Sequence, residues 1–364
     1  MPLDPFRAAI AVDDDPGRAA NKLADDLAGQ GSGGTVGFIY VTDRLGANLS
    51  SLVETLRHKT GIESWIGTIG LGVIGGRSGA FDQPAVAAMI CGWPKDQFAL
   101  YDRVAPPFKI SPDAFGIPTA IVHVDPRHPF DGELKALSAA SGAYLLGGLS
   151  ASRTRRFDQV AGKMTEGGIS GLLLGPDVSV AIGVSQGCSP IGPIRTITET
   201  QDNLVTSLDG VPPLQALLVD LAVAKEDELR QLLLSLHVGL PVPNCDTGDY
   251  VVRNIAGINT ENGYIAVADE VRPGQKLFFC RRDRAAATKD LRTMAAKLRG
   301  RMEKVHGALY VSCCARGPNL FDSAAEEVEL VQEQLGGVPL VGFYANGEIA
   351  GDRVYGYTGV LALF

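Results

Sequence analysis

Four short segments of this chain carry the side chains that could do chemistry. SQGCSPIG sets Cys188 beside Gly187 at the end of the β-like run DVSVAIGV. SCCARGPNLF places Cys313, Cys314 and Arg316 between an apolar run and a helix candidate. GFYANGEIAG alternates Tyr344, Asn346 and Glu348, and GGLSASR offers Ser150, Ser152 and Arg153. A cysteine becomes a nucleophile only as the thiolate, which needs a base or a positive neighbour. A guanidinium such as that of Arg316 can hold a carboxylate through two parallel hydrogen bonds. Residues two apart share a face of an extended backbone. A Tyr344, Asn346, Glu348 face is costly to bury without polar partners, so it faces solvent or surrounds a polar ligand.

Each segment also has a plain structural account. No histidine lies near Cys188 in sequence, and a thiol packed into a tight turn at Gly187 fits better than a nucleophile. Arg316 could pair with Glu326 or Glu348 instead of a ligand, and GGLSASR could be a solvated loop. The HVDPRH segment gives His123, Asp125 and His128 a spacing open to metal ligation, but Pro126 and Pro129 suit a strand-exit loop better. GLGVIG (residues 70–75) matches the dinucleotide pattern GxGxxG. The residues after Gly75 lack a helical period, however, so no helix N-terminus is offered to a pyrophosphate. A strand, a glycine turn and a second strand is the expectation there. Neither a metal nor another cofactor is expected.

The elements that must position these residues read as a mixed α/β fold. Asp15 before Pro16 is an N-cap followed by proline at the first helical position. TVGFIYVT, AVAAMICGW, TAIVHVD, AYLLGGLS and SGLLLG are strand-like. Helix candidates lie near residues 49–58, 133–140, 213–221, 225–234, 285–304 and 322–335. Turn dipeptides such as Asn262-Gly263 and Pro273-Gly274 call for partly antiparallel sheets. One internal echo stands out. TAIVHVD, helix, AYLLGGLSAS has the order of ALYVSCC, helix, VPLVGFYANGE, as in two similar units related by duplication. Domains are expected at residues 1–222 and 223–364, with a ligand site between the two halves.

Composition narrows the class. The 364 residues carry a net charge of −8, a poor start for a nucleic-acid binder. With 45% hydrophobic residues the chain is long and apolar enough to bury a large core. No apolar run reaches transmembrane length and no signal peptide is visible, so a cytoplasmic protein is expected. The six cysteines form no CxxC, and a chain of this size needs no disulfide staple. Glycine is abundant, with 44 residues. Gly147, Gly148, Gly187, Gly317, Gly342 and Gly347 fall in the chemistry-bearing segments, where a backbone could approach a ligand closely.

Together these segments resemble the FIST sensory domain family. YVVRNI, the surroundings of Phe279, Cys280, Arg282 and Asp283, SCCARGPNLF, VPLVGFYANGEI and TGVLALF carry the C-terminal part of the likeness. GLGVIGG, YLLGGLSAS, SQGCSPIGP and LDGVPPLQALL carry the N-terminal part. The resemblance implies a small-molecule sensor, with amino acids or other small polar metabolites as ligands and no established catalysis. The strand-end segments themselves offer Ser150, Arg153, Cys188, Cys314, Arg316, Tyr344, Asn346 and Glu348 as ligand contacts. Only one strand and one helix precede residue 35, so any output would pass through a separate signalling partner or a change of oligomer. A homodimer is the base-rate expectation. The alternative is a hydrolase or transferase that uses Cys188, Cys313 or Cys314.

Overall fold

The computed structural model describes residues 4–103, 116–222, 232–242 and 249–364. Its contacts divide the chain into two compact units. The first comprises residues 1–185 and 288–364, and the second, residues 186–287, interrupts it in sequence. Most of the helix candidate at 225–234, and Cys245, lie outside the described residues.

The first unit is built from one plan used three times. In the first repeat, β1 (Asp4–Val12) and α1 (Pro16–Gly29) lead into β2 (Val36–Thr42), α2 (Leu49–Thr60) and β3 (Ser64–Gly70). A hairpin, β4 (Gly72–Gly75) and β5 (Ser78–Phe81), follows, and β6 (Ala85–Gly92) closes the repeat. The second repeat runs β7 (Phe98–Asp102), β8 (Thr119–Val124), α3 (Asp131–Ser141) and β9 (Tyr144–Leu149). Its hairpin is β10 (Gln159–Ala161) with β11 (Lys163–Thr165), and β12 (Ile169–Leu174) closes it. The third begins at β13 (Ala181–Ser185), is interrupted by the second unit, and resumes with α5 (Arg284–Arg299) and β21 (Ala308–Cys313). It continues through α6 (Ala324–Leu335), β22 (Leu340–Ala345), the hairpin β23 (Glu348–Ala350) and β24 (Arg353–Tyr355), and β25 (Gly359–Leu363).

Within each repeat the strands that flank the central helix pair in parallel: β2 with β3, β8 with β9, β21 with β22. The closing strand returns antiparallel to the first of them. The hairpin does not stay at home. Sheet order is β1-β6-β2-β3-β10-β11, then β7-β12-β8-β9-β23-β24, then β13-β25-β21-β22-β4-β5. Each repeat therefore completes the sheet of another, and the exchange closes in a ring of three. The two segments that echo each other in sequence are the second and third repeats; TVGFIYVTD to GLGVIGG is the third copy. A strand, a turn and a strand do occupy the GLGVIG segment, as expected.

One glycine marks the same place in every repeat. A Cβ at Gly67, Gly147 or Gly342 would lie 1.6, 1.9 or 1.8 Å from the carbonyl oxygen of Ile39, Val122 or Tyr310, its partner on the neighbouring strand. Gly147 and Gly342 thus serve close strand packing rather than approach to a ligand.

The helices cover the outer faces. Asp15 caps α1 by accepting from the Arg18 amide at 2.7 Å, with Pro16 at its start. Leu23 and Leu27 of α1 and Leu52 and Leu56 of α2 bury with Ile39, Val41 and Trp65 of the first sheet. Leu134 and Leu137 of α3 pack with Val122 and Leu145 of the second. The inner faces meet at aromatic rings: Tyr40 lies 4.7 Å from Phe343 and 5.4 Å from His123, and His123 lies 5.9 Å from Phe343. Here Tyr40, His123 and Val311 hold equivalent registers, opposite Thr68, Gly148 and Phe343.

The second unit contains β14 (Cys188–Pro190), β15 (Arg195–Gln201), β16 (Leu204–Leu208), α4 (Pro213–Leu221), β17 (Leu236–Pro241), β18 (Tyr250–Asn259), β19 (Tyr264–Val267) and β20 (Lys276–Arg282). All pairs are antiparallel, and β17 and β15 both bond β20, so six strands close into a barrel with β14 alongside. Val205, Val238, Ile265 and Phe279 fill its core with Leu214 and Leu217 of α4.

Candidate functional site

The ends of β3, β9 and β22 come together. The Leu71 amide donates to the Tyr344 carbonyl at 3.2 Å, Asn346 to Leu149 at 3.1 Å, and Ala151 to Ile69 at 3.0 Å. These bonds are equivalent in the three repeats and hold the points where each chain crosses to another sheet. GLSAS and YANGE, singled out from sequence, therefore do adjoin, and Glu348 pairs with Gly148.

The side chains at this junction are mostly committed to protein partners. Ser150 is buried, its hydroxyl 2.5 Å from that of Thr68. Arg153 holds Asp43 through Nε and Nη2 at 3.0 and 2.9 Å, and Asp82 through Nη1 at 2.5 Å. Hydrogen bonds from Arg44 and then Arg153 keep the Asp82 carboxyl below the usual aspartate range. Cys314 is half-buried, its sulfur 3.8 Å from Asn346 Oδ1.

Arg316 is fully buried and pairs not with Glu326 or Glu348 but with Glu327 of α6, Nε to Oε1 at 2.7 Å. The same oxygen accepts from the hydroxyls of Tyr310 and Ser312 at 2.8 and 2.9 Å, and Oε2 accepts from the Gly317 amide at 2.9 Å. A buried charge pair survives when its remaining hydrogen-bonding capacity is met, which this carboxylate achieves. Tyr344 is buried on that same helix-facing side, its ring 5.1 Å from Phe81.

Tyr344, Asn346 and Glu348 do not share a face, contrary to the expectation from their spacing. The strand ends at Ala345, Asn346 is exposed, and Gly347 at φ +131° redirects the chain into β23, in a different sheet. Alternation fails because the extended run is broken by the crossing. Glu348 is buried with Thr358, whose hydroxyl donates at 2.7 Å. Burial, followed by nearby Cys313, pushes its carboxyl well above the ordinary value.

Cys313 and Cys280 are set against thiolate formation. Cys313 is pushed up by its hydrogen bond with Cys314 and by burial. Cys188 lies in the second unit, buried, its carbonyl accepting from the Tyr250 hydroxyl at 2.5 Å. Its thiol adjoins that of Cys280, which this contact and burial push upward.

A cavity of about 700 Å³ opens elsewhere in the first unit, beyond the ends of β6 and β25. Trp93 and Phe364 lie beneath it, almost fully buried, with ring centroids 5.1 Å apart and edge to face, and Phe6 backs Trp93 at 5.3 Å. Val178, Met302 and His306 make the walls. Burial lowers the His306 pKa, which favours the neutral imidazole. Arg301, Lys304, Asp177 and Glu303 are exposed at the rim and form no ion pair among the described residues. Gln97 also lines the space, and its Oε1 is buried without a hydrogen-bond partner among the described residues. Reading the sequence missed this site. Its residues come from separate segments in both halves of the chain, and AVAAMICGW and TGVLALF, which end on Trp93 and Phe364, read only as apolar strands.

Residues 35–211 match the FIST N domain and residues 213–351 the FIST C domain. The chain is similar to "Uncharacterized protein Mb0898c" of Mycobacterium bovis, 30% identical over 374 residues that cover 95% of this chain and 94% of that protein. It is likewise 30% identical over 335 residues to "Uncharacterized protein Rv0628c" of Mycobacterium tuberculosis, covering 82% and 83%. FIST domains are commonly sensory, ligand-binding domains. With two domain matches that together span most of its length, this chain belongs to the FIST family.

Proposed function

We propose that the protein is a small-ligand sensor and that its ligand occupies the cavity above Trp93 and Phe364. One observation carries the reading: a space of about 700 Å³ lined by half-buried Val178, Met302 and His306 and by the partnerless Gln97 Oε1, beside charged groups that have no ion-pair partner among the described residues. Pockets of about 300–1,000 Å³ with apolar walls and a few polar groups are the usual form of small-molecule sites. At the strand-crossing junction Glu327 holds Arg316, Thr68 holds Ser150 and Thr358 holds Glu348, leaving only Arg316 Nη1 and Glu348 Oε1 of these side chains with buried atoms that lack a hydrogen-bond partner among the described residues. The rim carries both signs of charge, which suits amino acids or other small charged metabolites.

Ligand binding stabilises the folded state by mass action. A thermal-shift screen of metabolites is the test, run in parallel on Val178→Trp, which fills the space. A compound that raises Tm in the parent and not in Val178→Trp supports the cavity. Equal shifts in both proteins would place the site elsewhere.

A further inference from the structure

We propose that Cys313 and Cys314 form a redox-active dithiol, which a hydroperoxide oxidises to a vicinal disulfide through attack by Cys314, with Glu348 accepting the proton that Cys313 releases. This chemistry needs no ligand in the cavity. Consecutive side chains of a strand point to opposite faces, so regular alternation would keep the two thiols apart. β21 ends at Cys313, however, and Cys314 opens a turn in which the Arg316 amide donates to the Cys313 carbonyl at 2.8 Å. The turn brings the thiols into hydrogen-bonding contact.

The two members of the pair are unequal. Cys313 is buried, and its bond to Cys314, then burial, hold its proton in place. Cys314 is half-buried beside exposed Asn346, its sulfur 3.8 Å from Oδ1, so it is the thiol that a solute reaches. Glu348 adds an observation independent of the cysteines. It is fully buried, Thr358 engages only its Oε2, and Oε1 has no hydrogen-bond partner among the described residues. Its carboxyl lies near Cys313, and burial raises its proton affinity, which makes the ionised form a better base than an ordinary carboxylate. The Ala315 and Tyr357 amides bond the Cys313 sulfur and stabilise it as the proton leaves.

The hydroperoxide is the oxidant. The Cys314 thiolate attacks its terminal oxygen; the O–O bond breaks, an alkoxide leaves and takes a proton from solvent, and a sulfenic acid remains. Cys313 then attacks the Cys314 sulfur while its proton passes to Glu348. The S–S bond forms, the S–O bond breaks, and the departing hydroxide takes that proton to become water. Two thiols and one hydroperoxide thus give one disulfide, one alcohol and one water. Neighbouring Cα atoms are about 3.8 Å apart, less than disulfides usually span, so the bond is strained and easily reduced again. The strain falls on the Cys314 amide, which donates to the Ala345 carbonyl at 2.7 Å beside the strand crossing.

Hydrogen peroxide is the probe, and peptide mapping of the unaltered chain by mass spectrometry is the readout. The peptide carrying Cys313 and Cys314 should lose two hydrogens about tenfold or more faster than buried Cys91 is oxidised, and dithiothreitol should restore them. In Cys313→Ser the Cys314 sulfenic acid should persist and label with dimedone. In Glu348→Gln the disulfide should form about tenfold or more slowly, so the same label appears although both thiols remain. Oxidation of Cys314 no faster than that of Cys91, or a disulfide found only between Cys188 and Cys280, would overturn the proposal. A parental rate of disulfide formation in Glu348→Gln would overturn the role of Glu348. Should the variants fail to fold, the map of the unaltered chain still decides whether the pair is redox-active.

Discussion

Replacing Glu327 with glutamine isolates the worth of the charge beneath α6. The side chain keeps its length, but one carboxylate oxygen becomes an NH2 group. If the amide nitrogen takes the place of Oε2, it faces the Gly317 N–H; if it takes the place of Oε1, it faces Tyr310, Ser312 and Arg316. Either orientation sets donor against donor and leaves the Arg316 guanidinium buried without its countercharge. Removing one partner of a buried ion pair costs about 3–5 kcal/mol. In a domain of this size each kcal/mol moves Tm by about 2–4 °C, so Glu327→Gln should melt about 6–20 °C below the parent. Circular-dichroism melts at pH 7 read this directly. The double variant Arg316→Met/Glu327→Gln separates charge from packing. It removes the stranded cation and should recover at least 2 kcal/mol relative to the sum of the single variants, about the size of a strong pairwise coupling. A Tm loss below about 2 °C in Glu327→Gln, or strict additivity in the double variant, would show that the network is not held by its charge.

Other perturbations follow from the same geometry. The second unit leaves and rejoins the chain at one place, since the Asp283 amide donates to the Gly187 carbonyl at 3.4 Å. Excising residues 188–282 and joining Gly187 to Asp283 through two glycines should leave a folded, cooperatively melting first unit; loss of near-UV dichroism would refute this. Burial lowers His123 to about 3, so the unfolded chain takes up a proton below pH 6.5 that the folded chain refuses, and stability falls toward acid. Glu348 acts in the opposite sense. Its raised pKa means that the folded chain retains a proton which the unfolded chain releases above about pH 4.5, so stability falls toward alkali by at most about 1.4 kcal/mol per pH unit. The two slopes oppose each other between these values, and Glu348→Gln should flatten the denaturation midpoint above pH 6.5; a pH profile parallel to the parent's would contradict the assignment. Gly147→Ala should prevent soluble folding, because its Cβ would overlap the Val122 carbonyl, whereas Gly274→Ala, at a turn with open space around it, should still fold; equal yields would count against the packing role.

Local chemistry was legible in the sequence where it was locally decided. The Asp15-Pro16 helix start, the hairpin of β15 and β16 and the parallel pairs around α3 and α6 all follow from caps, turns and apolar periods. Two of the three repeats could be seen because AYLLGGLS and VPLVGFYA keep their glycines in register. The first repeat keeps the same glycine at Gly67, but its strand lay inside the single apolar run ESWIGTIGLGV, which continues almost without a break into β4. Arg316 was recognisable as a residue with a special partner, but the choice of Glu327 over Glu326 depends on the face that α6 turns inward. The cavity was illegible for a different reason. Trp93, Val178, Met302 and Phe364 have no common spacing, and it takes the return of β25 beside β21 to bring the last of them toward the first.

The ring of exchanged hairpins also dictates an order of events during synthesis. The hairpin of β4 and β5 emerges early, yet the strand that receives it, β22, lies near the other end of the chain. β9 likewise waits for β23, which follows β22. None of the three sheets shuts without a distant segment except the first, which gains β10 as soon as the second repeat appears. A nascent chain therefore holds an unpaired hairpin and an open strand edge until almost all of it has left the ribosome. Such edges template mispairing, and long-range pairing is slow. Ribosome-bound chains truncated before β22 should be the species that chaperones bind, and release should coincide with emergence of the last two strands.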